Sequence, residues 1–488
     1  MYVIGVKIQC YRGIKIMRII IFNIIIALTV FACKNDIKEA GEHAFLGGEI
    51  INPNDDFVTL LKSDKIVDTI KLDNQNRFLY KINNLESGFY TFKHGSEIQM
   101  VLLEPFDSIM MRLNTFDFDE SLVYSGTGAE KNNYFINEFL QNEIIEKEIF
   151  KLCQLDPGPF EIKIDEIKEK KNKALRDFIN KNKSSTLFKE IAEANINYNY
   201  YSSKEIYPII NYGYNNRAVI KDLPKDFYSY RRDVDYNKEG YLEYLSYNSF
   251  LRSNFNNLSL EKHLNHTKEN HFSSTSACYN LDKLKLIDSL VSNPTIKNDL
   301  LYYFTMSFLI KNKEVENNET IKNSFLNKST DLKNNEIISN LIISLNDLKP
   351  GNKFPNIHLV NSQNNDLDFN SLIKRPTAVY FWSHKFYEHF KDSHYKVNEL
   401  KRKYPEIDFI AVNIDEQNIK TLEKTLKTNS FSVKNEFQFK NPEESKNTLA
   451  IYPMTKVIII DKNHIIINSN ANMFSNNFEE QLLGLISR

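Results

Sequence analysis

The sequence predicts a multidomain α+β protein built from an N-terminal β-sandwich, a helical middle region and a C-terminal α/β domain. Three observations carry that reading. Short β-forming runs follow one another closely over residues 44–127, helical patterning dominates residues 128–346, and a strand-helix-strand unit lies within residues 347–488. A chain of 488 residues fits about three domains, and 42% hydrophobic content allows ordinary globular cores. With 62 basic and 63 acidic residues, nothing drives the chain electrostatically toward nucleic acid.

The first 33 residues read as an export signal, with translation starting at Met17. Met17-Arg18 supplies a basic start, Ile19 to Thr29 an apolar core shorter than a membrane span, and Ala32 a small residue before the cut. Cys33 at the cut makes the segment resemble a bacterial lipoprotein signal, although Phe31 is bulkier than usual two residues before the cysteine. That resemblance implies lipidation of Cys33, attachment to a membrane through the lipid chains, and a location in the cell envelope facing the periplasm or the cell surface. Residues 34–43 form a polar tether.

Strands are expected over Phe45 to Ile51, Phe57 to Lys62, Ile66 to Leu72, Arg77 to Ile82, Phe89 to Lys93, Gln99 to Leu103 and Ile109 to Leu113. Turn clusters such as Asn52-Pro53-Asn54-Asp55 and Glu86-Ser87-Gly88 punctuate them, as in a small sandwich. The phrase Ser125-Gly-Thr-Gly-Ala-Glu-Lys-Asn-Asn133 then leads into a helix at Tyr134. It is no phosphate loop, because it lacks the Gly-Lys-Ser/Thr ending.

In the helical region, the dense Lys and Glu between Glu161 and Asn182 read as a solvated helix face with i,i+4 pairing. Tyr198, Tyr200, Tyr201, Tyr207, Tyr212 and Tyr214 either line a binding groove or pack between helices. Cys153 and Cys278 lie far apart in sequence and are expected as free buried thiols, a structural bridge being the alternative. Asp347-Leu-Lys-Pro-Gly-Asn352 reads as the linker into the last domain.

The C-terminal unit has an apolar strand at Ala378 to Trp382, a helix from Tyr387 to Tyr404 stopped by Pro405, and a second strand at Phe409 to Asn413. Such an order implies a parallel crossover. Around it stand a short hairpin, His358 to Val360 against Asp366 to Asp368, and a late hairpin, Lys456 to Asp461 with Ile465 to Asn468. A closing helix follows from about Asn476. In this order the pieces resemble the thioredoxin-like proteins of bacterial envelopes, the TlpA and ResA group of thiol-disulfide oxidoreductases and their peroxiredoxin-like (AhpC/TSA) relatives. The preceding β-rich segment, with its Ser125 to Asn133 phrase, is similar to an uncharacterised β-domain found before such modules in Bacteroidetes lipoproteins.

That resemblance implies a Cys-x-x-Cys after the strand ending in Phe381-Trp382, with the first thiolate stabilised at a helix N-terminus. Here Phe386 stands at the attacking position and His389 at the resolving one, so the motif is absent. Phenylalanine carries no nucleophile and imidazole cannot form a mixed disulfide, so exchange fails at its first step. The family also holds a proline in cis just before the late hairpin. Tyr452-Pro453 is the candidate, but the usual spacing falls nearer Thr455, so the loop is either two residues longer or lacks the cis bond. His384, His389 and His394 do not form a metal set by themselves, since their five-residue spacing turns each ring to a different face of a helix; they read as solvated or half-buried surface residues, a histidine pair with a non-sequential partner being the alternative. No catalytic residue, metal or cofactor is expected.

The functional expectation is an envelope lipoprotein whose redox-inactive thioredoxin-like domain binds a protein or peptide at the membrane. The alternative is an envelope thiol-disulfide oxidoreductase or peroxiredoxin-like enzyme acting in redox homeostasis through non-standard residues.

Overall fold

The computed structural model describes residues 42–486 apart from 64, 96, 213–222, 268–272, 313, 385 and 417–418. The export signal, Cys33, nearly all of the tether, Tyr214 and the C-terminal pair 487–488 therefore lie outside the described residues. The fold is multidomain α+β, as the patterning predicts.

The N-terminal part begins with strands β1 (His43–Ile51), β2 (Phe57–Lys62), β3 (Lys65–Lys71), β4 (Arg77–Asn83), β5 (Gly88–His94), β6 (Glu97–Leu103) and β7 (Ser108–Asn114). A short helix α1 (Phe118–Ser121) and strand β8 (Val123–Thr127) complete it. Two four-stranded sheets result, ordered β4-β1-β7-β8 and β3-β2-β5-β6. Alternate residues of both sheets, among them Leu46, Ile50, Leu60, Phe92, Val101 and Ile109, close one shared core, which is the two-residue periodicity of a sandwich. Strand β3 is the exposed edge and carries lysines at both ends, which discourages pairing with another chain. Strand β8 overlaps the start of the stretch Ser125 to Asn133, read only as a closing phrase. Its mostly exposed residues and Gly126 hide the pattern, and it forms because β7 offers an antiparallel edge. Gly126 is required there: its φ is +93°, and a Cβ would sit 2.2 Å from the Ser108 carbonyl oxygen.

The helical region consists of α2 (Ala129–Leu152), α3 (Pro157–Lys181), α4 (Thr186–Tyr212), α5 (Leu245–His266), α6 (Ala277–Leu290), α7 (Pro294–Lys311), α8 (Val315–Leu326) and α9 (Leu332–Asp347). Their starts obey side-chain capping rules: Ser276, Asn293 and Asp331 accept the amide N–H of the third residue of α6, α7 and α9, and Pro294 occupies the first position of α7. The charged helix α3 is mostly solvated, with Lys163 pairing to Glu166, but Lys171 is buried and reaches Glu138 at 2.8 Å.

The C-terminal part runs β9 (His358–Asn361), β10 (Asp366–Asp368), α10 (Phe369–Leu372), β11 (Thr377–Trp382), α11 (Tyr387–Lys403), β12 (Asp408–Asn413), α12 (Ile419–Thr428), β13 (Glu436–Phe439), α13 (Pro442–Thr448), β14 (Lys456–Ile460), β15 (Ile466–Asn472) and α14 (Phe478–Ile486). The seven strands are ordered β10-β9-β13-β12-β11-β14-β15, with β11, β12 and β13 parallel and β14 antiparallel to β11. A parallel β11-α11-β12 unit flanked by the antiparallel β14-β15 hairpin is the thioredoxin-like arrangement. Strand β13 had no counterpart in the sequence reading because four residues are too short to show a period.

This sheet has two apolar faces. Ala378, Tyr380, Trp382, Phe409 and Ile459 face α11, α12 and α14. Val379, Phe381, Ile410, Val412 and Ile458 belong to a core continuous with the helical region. The stretch 347–352 is accordingly no loose linker: Leu348 is fully buried and the Gly351 amide donates to Ile466 at 2.8 Å, because the core crosses this junction.

Candidate functional site

All six residues of β11 are buried, so the chain reaches the surface only after Trp382. Ser383 is still buried, His384 is half-buried, and Phe386 precedes α11 with 54% of its surface exposed. No side chain caps α11 at Phe386. Thus the end of a buried strand and the start of a helix form a corner, and its tip is an exposed benzyl ring. Tyr387, Tyr395, Tyr452 and Phe474 are exposed large residues of the same domain. Phe474 reaches the corner, since its ring lies 6.1 Å from that of His389.

The opposite wall is the segment before β14. Tyr380 pairs with Val457 in the antiparallel register, so residues 452–455 lie at the same sheet end as Ser383, His384 and Phe386. The Tyr452-Pro453 bond is cis, and Thr455 is half-buried beyond it. The spacing that favoured Thr455 is absorbed by the turn in which the Lys456 amide donates to the Pro453 carbonyl.

Beneath the corner lie two carboxylates that the sequence reading passed over. Asp415 accepts from Ser383 Oγ at 2.7 Å and from the His384 amide at 3.0 Å, and Asn413 Nδ2 is 3.1 Å away. Burial alone would raise its pKa, but His384 and Ser383, helped by Asn413, bring it down to about 2. His384 Nδ1 is 3.0 Å from Asp415 Oδ2, an ion-pair distance for the protonated ring, in a direction unsuited to a hydrogen bond. Glu436 projects from β13 and accepts the Trp382 indole N–H at 3.1 Å.

His394 lies 3.2 Å from Glu436 through Nε2 and 2.7 Å from the Phe390 carbonyl through Nδ1. A carbonyl only accepts, so Nδ1 carries a proton and the Nε2–Glu436 contact holds one more between them. His394 is thus a buried core residue and not a surface one; Tyr380, Trp382, Phe390 and Phe431 enclose its ring. His389 is half-buried, lies 3.1 Å from Ser393 Oγ through Nε2, and has its pKa pushed below the usual imidazole value by burial. Lys456 is buried without a counter-charge. Its Nζ donates to the Leu449 and Ala450 carbonyls at 2.7 and 2.9 Å, and burial pushes its pKa down to about 7.

The structure therefore brings Trp382, Phe386, His389 and the Tyr452 to Thr455 loop to one end of the sheet, and residues 347–488 contain no cysteine. Cys153 lies elsewhere, packed among Ile149, Phe160, Ile164, Tyr207 and Phe227, and burial pushes its thiol up to about 12. Cys278 is exposed, contrary to expectation, because it falls in the first turn of α6; the two are not bridged. Tyr198 and Tyr207 are buried helix-packing residues, with Tyr198 4.8 Å from Tyr247 and Tyr207 4.3 Å from Phe160, so they line no open groove. A cavity of about 250 Å³ does open between sandwich and helices, bounded by Met100, Phe135, Glu138, Asn195, Asn199 and Tyr244. It is slightly smaller than the usual range of about 300–1,000 Å³ for small-molecule sites. The alternation of polar and aromatic residues in Glu436-Phe-Gln-Phe439 gave no signal that its carboxylate is buried; only folding shows what it touches.

No family model matches the chain, and no curated protein does. Among solved structures it is similar to a provisionally assigned thiol-disulfide oxidoreductase from Bacteroides vulgatus, at 17% identity and TM-score 0.26, over 28% of this chain and 98% of that one. A provisionally assigned thiol:disulfide interchange protein DsbE from Chlorobium tepidum gives 17%, 0.25, 28% and 98% by the same measures. A domain of a provisionally assigned thiol-disulfide isomerase from Cytophaga hutchinsonii gives 19%, 0.25, 28% and 94%. Likeness at this level says nothing about chemistry.

Proposed function

We propose that the C-terminal domain does not exchange disulfides and that its corner binds a protein or peptide, with the chain held at an envelope membrane by lipid on Cys33. The observation that carries this reading is the exposed Phe386 at the start of α11, where an exchange enzyme needs a thiolate. A benzyl ring there offers apolar area and no nucleophile, and exposed aromatic side chains suit peptide recognition better than disulfide exchange. Among the described residues no helix is long and apolar enough to cross a membrane, so attachment in this reading rests on the lipid alone.

The purified protein is expected to leave insulin disulfides intact with dithiothreitol as reductant, at the uncatalysed rate. Turnover that disappears in Phe386→Ala or His389→Ala would establish the oxidoreductase alternative instead. The binding claim has its own readout: Phe386→Ala should weaken capture of the chain's envelope partner by about tenfold or more, as removal of a central aromatic anchor does. Undiminished capture by that variant would place the binding surface elsewhere.

A further inference from the structure

The helical region contains a second constellation of donors, independent of the corner. His263 and His266 lie three residues apart in the last turn of α5, on one side of that helix. Cys278 and Asp282 lie four apart in the first turns of α6, again on one side. The two helices pack together and the pairs meet: one donor atom from each of the four lies within 4.8 Å of every other. Asp282 Oδ2 is 2.6 Å from His266 Nε2 and 3.9 Å from His263 Nδ1.

We propose that His263, His266, Cys278 and Asp282 form a zinc site that clamps α5 to α6. Two imidazoles, a thiolate and a carboxylate are borderline-to-soft donors that suit Zn²⁺ and not the oxygen-seeking Mg²⁺ or Ca²⁺. Bonds of about 2.0–2.1 Å to nitrogen or oxygen and about 2.3 Å to sulfur place tetrahedral donors roughly 3.3–3.8 Å apart. The observed spread therefore closes by side-chain rotation, without moving either helix. Placement helps as well. The carboxyl end of α5 presents the negative pole of its dipole to the cation, and the amino end of α6 stabilises the Cys278 thiolate.

On binding, the Cys278 S–H bond breaks, its electron pair goes to the metal and its proton goes to solvent. Asp282 exchanges its contacts with His266 and with Lys262, whose Nζ is 3.8 Å from Oδ1, for the metal. Four protein donors fill the tetrahedron, which makes the site structural and leaves no position for a catalytic water. A plain His266–Asp282 ion pair would need neither Cys278 nor His263, and that difference is what the test uses.

The full chain, stripped with a chelator, is titrated with Zn²⁺ and with Co²⁺. One Zn²⁺ per chain should bind with proton release and raise the melting temperature. The Co²⁺ form should show the visible bands of a tetrahedral centre and a near-ultraviolet thiolate-to-cobalt band. Cys278→Ser should abolish the near-ultraviolet band, and Cys278→Ser, Asp282→Asn and His266→Ala should each weaken Zn²⁺ binding at least about tenfold. All three positions are exposed or half-exposed, and unchanged circular dichroism would confirm that the variants fold. No stoichiometric uptake of micromolar Zn²⁺ by the wild-type chain would overturn the proposal, and so would undiminished binding by Cys278→Ser.

Discussion

Glu205 in the helical region and Glu436 in the C-terminal sheet are both shut off from water, yet their surroundings differ in kind. Glu205 receives Arg231 through Nε at 2.8 Å and Nη2 at 2.7 Å, and further bonds from Tyr230, Asn254 and Asn257 at 2.6 to 2.7 Å. Its counter-charge is a guanidinium that never loses its proton, so this cluster is a fixed pin among α4, α5 and the Tyr228 to Arg231 turn. Glu436 faces the Trp382 indole N–H, the His394 ring and the Tyr380 hydroxyl, none of which is a permanent cation. The helical region therefore holds a permanent charge pair, whereas the carboxylate beneath the corner is held by an indole, an imidazole and a phenol. The comparison teaches that the second region retains polar machinery under its surface although the surface carries no thiol.

The sharpest way to break this contrast is Arg231→Met, which leaves Glu205 buried and uncompensated. Urea denaturation should show a loss of about 3–5 kcal/mol, largely recovered in the double variant with Glu205→Leu. A neutral Arg231→Met would mean that the pin carries no load.

Next in size is Lys456, the third case, a buried amine with only carbonyl acceptors. Its folded pKa of about 7 lies below the ordinary 10.5, so between these values the unfolded chain binds the extra proton. Stability should therefore rise with pH from about 7 to 10.5, by a few kcal/mol in all, and be flat with respect to this group on either side. Denaturation midpoints over that range should lose this slope in Lys456→Met; an unchanged slope would show that water reaches the amine.

The smallest expected effect is at His394. His394→Leu removes one of the partners of Glu436, leaving the Trp382 indole N–H and the Tyr380 hydroxyl, and should cost about 1–3 kcal/mol, with part of it restored by Glu436→Gln, whose carbonyl still accepts from Trp382. If His394→Leu cost as much as Arg231→Met, the two carboxylates would be equivalent after all.

Much of the architecture was legible in the chain itself. Alternation in the N-terminal strands, the β11-α11-β12 order and the apolar run of β14 each follow from side-chain period, which is local. Strands β8 and β13 were not legible, because five mostly exposed residues or four buried ones form a strand only when a neighbour offers its edge. At the site, the sequence placed Phe386 and His389 at the corner and Pro453 opposite. It misjudged His394, since one histidine on a charged helix looks the same whether its face meets solvent or Trp382. The His263-x-x-His266 and Cys278-x-x-x-Asp282 spacings were present too, yet each pair alone is ordinary helix surface.

What the sequence by itself determined is that residues 347–488 carry no cysteine, with Phe386 and His389 following the strand that ends in Trp382. What only the tertiary structure decided is which buried polar groups share an environment. Glu205 with Arg231, Glu436 with His394, and Cys278 with His263 are separated by 26, 42 and 15 residues. The physical reason is that residue type and period act along the chain, whereas desolvation and pairing act across space, and only packing brings such groups within hydrogen-bond or coordination range.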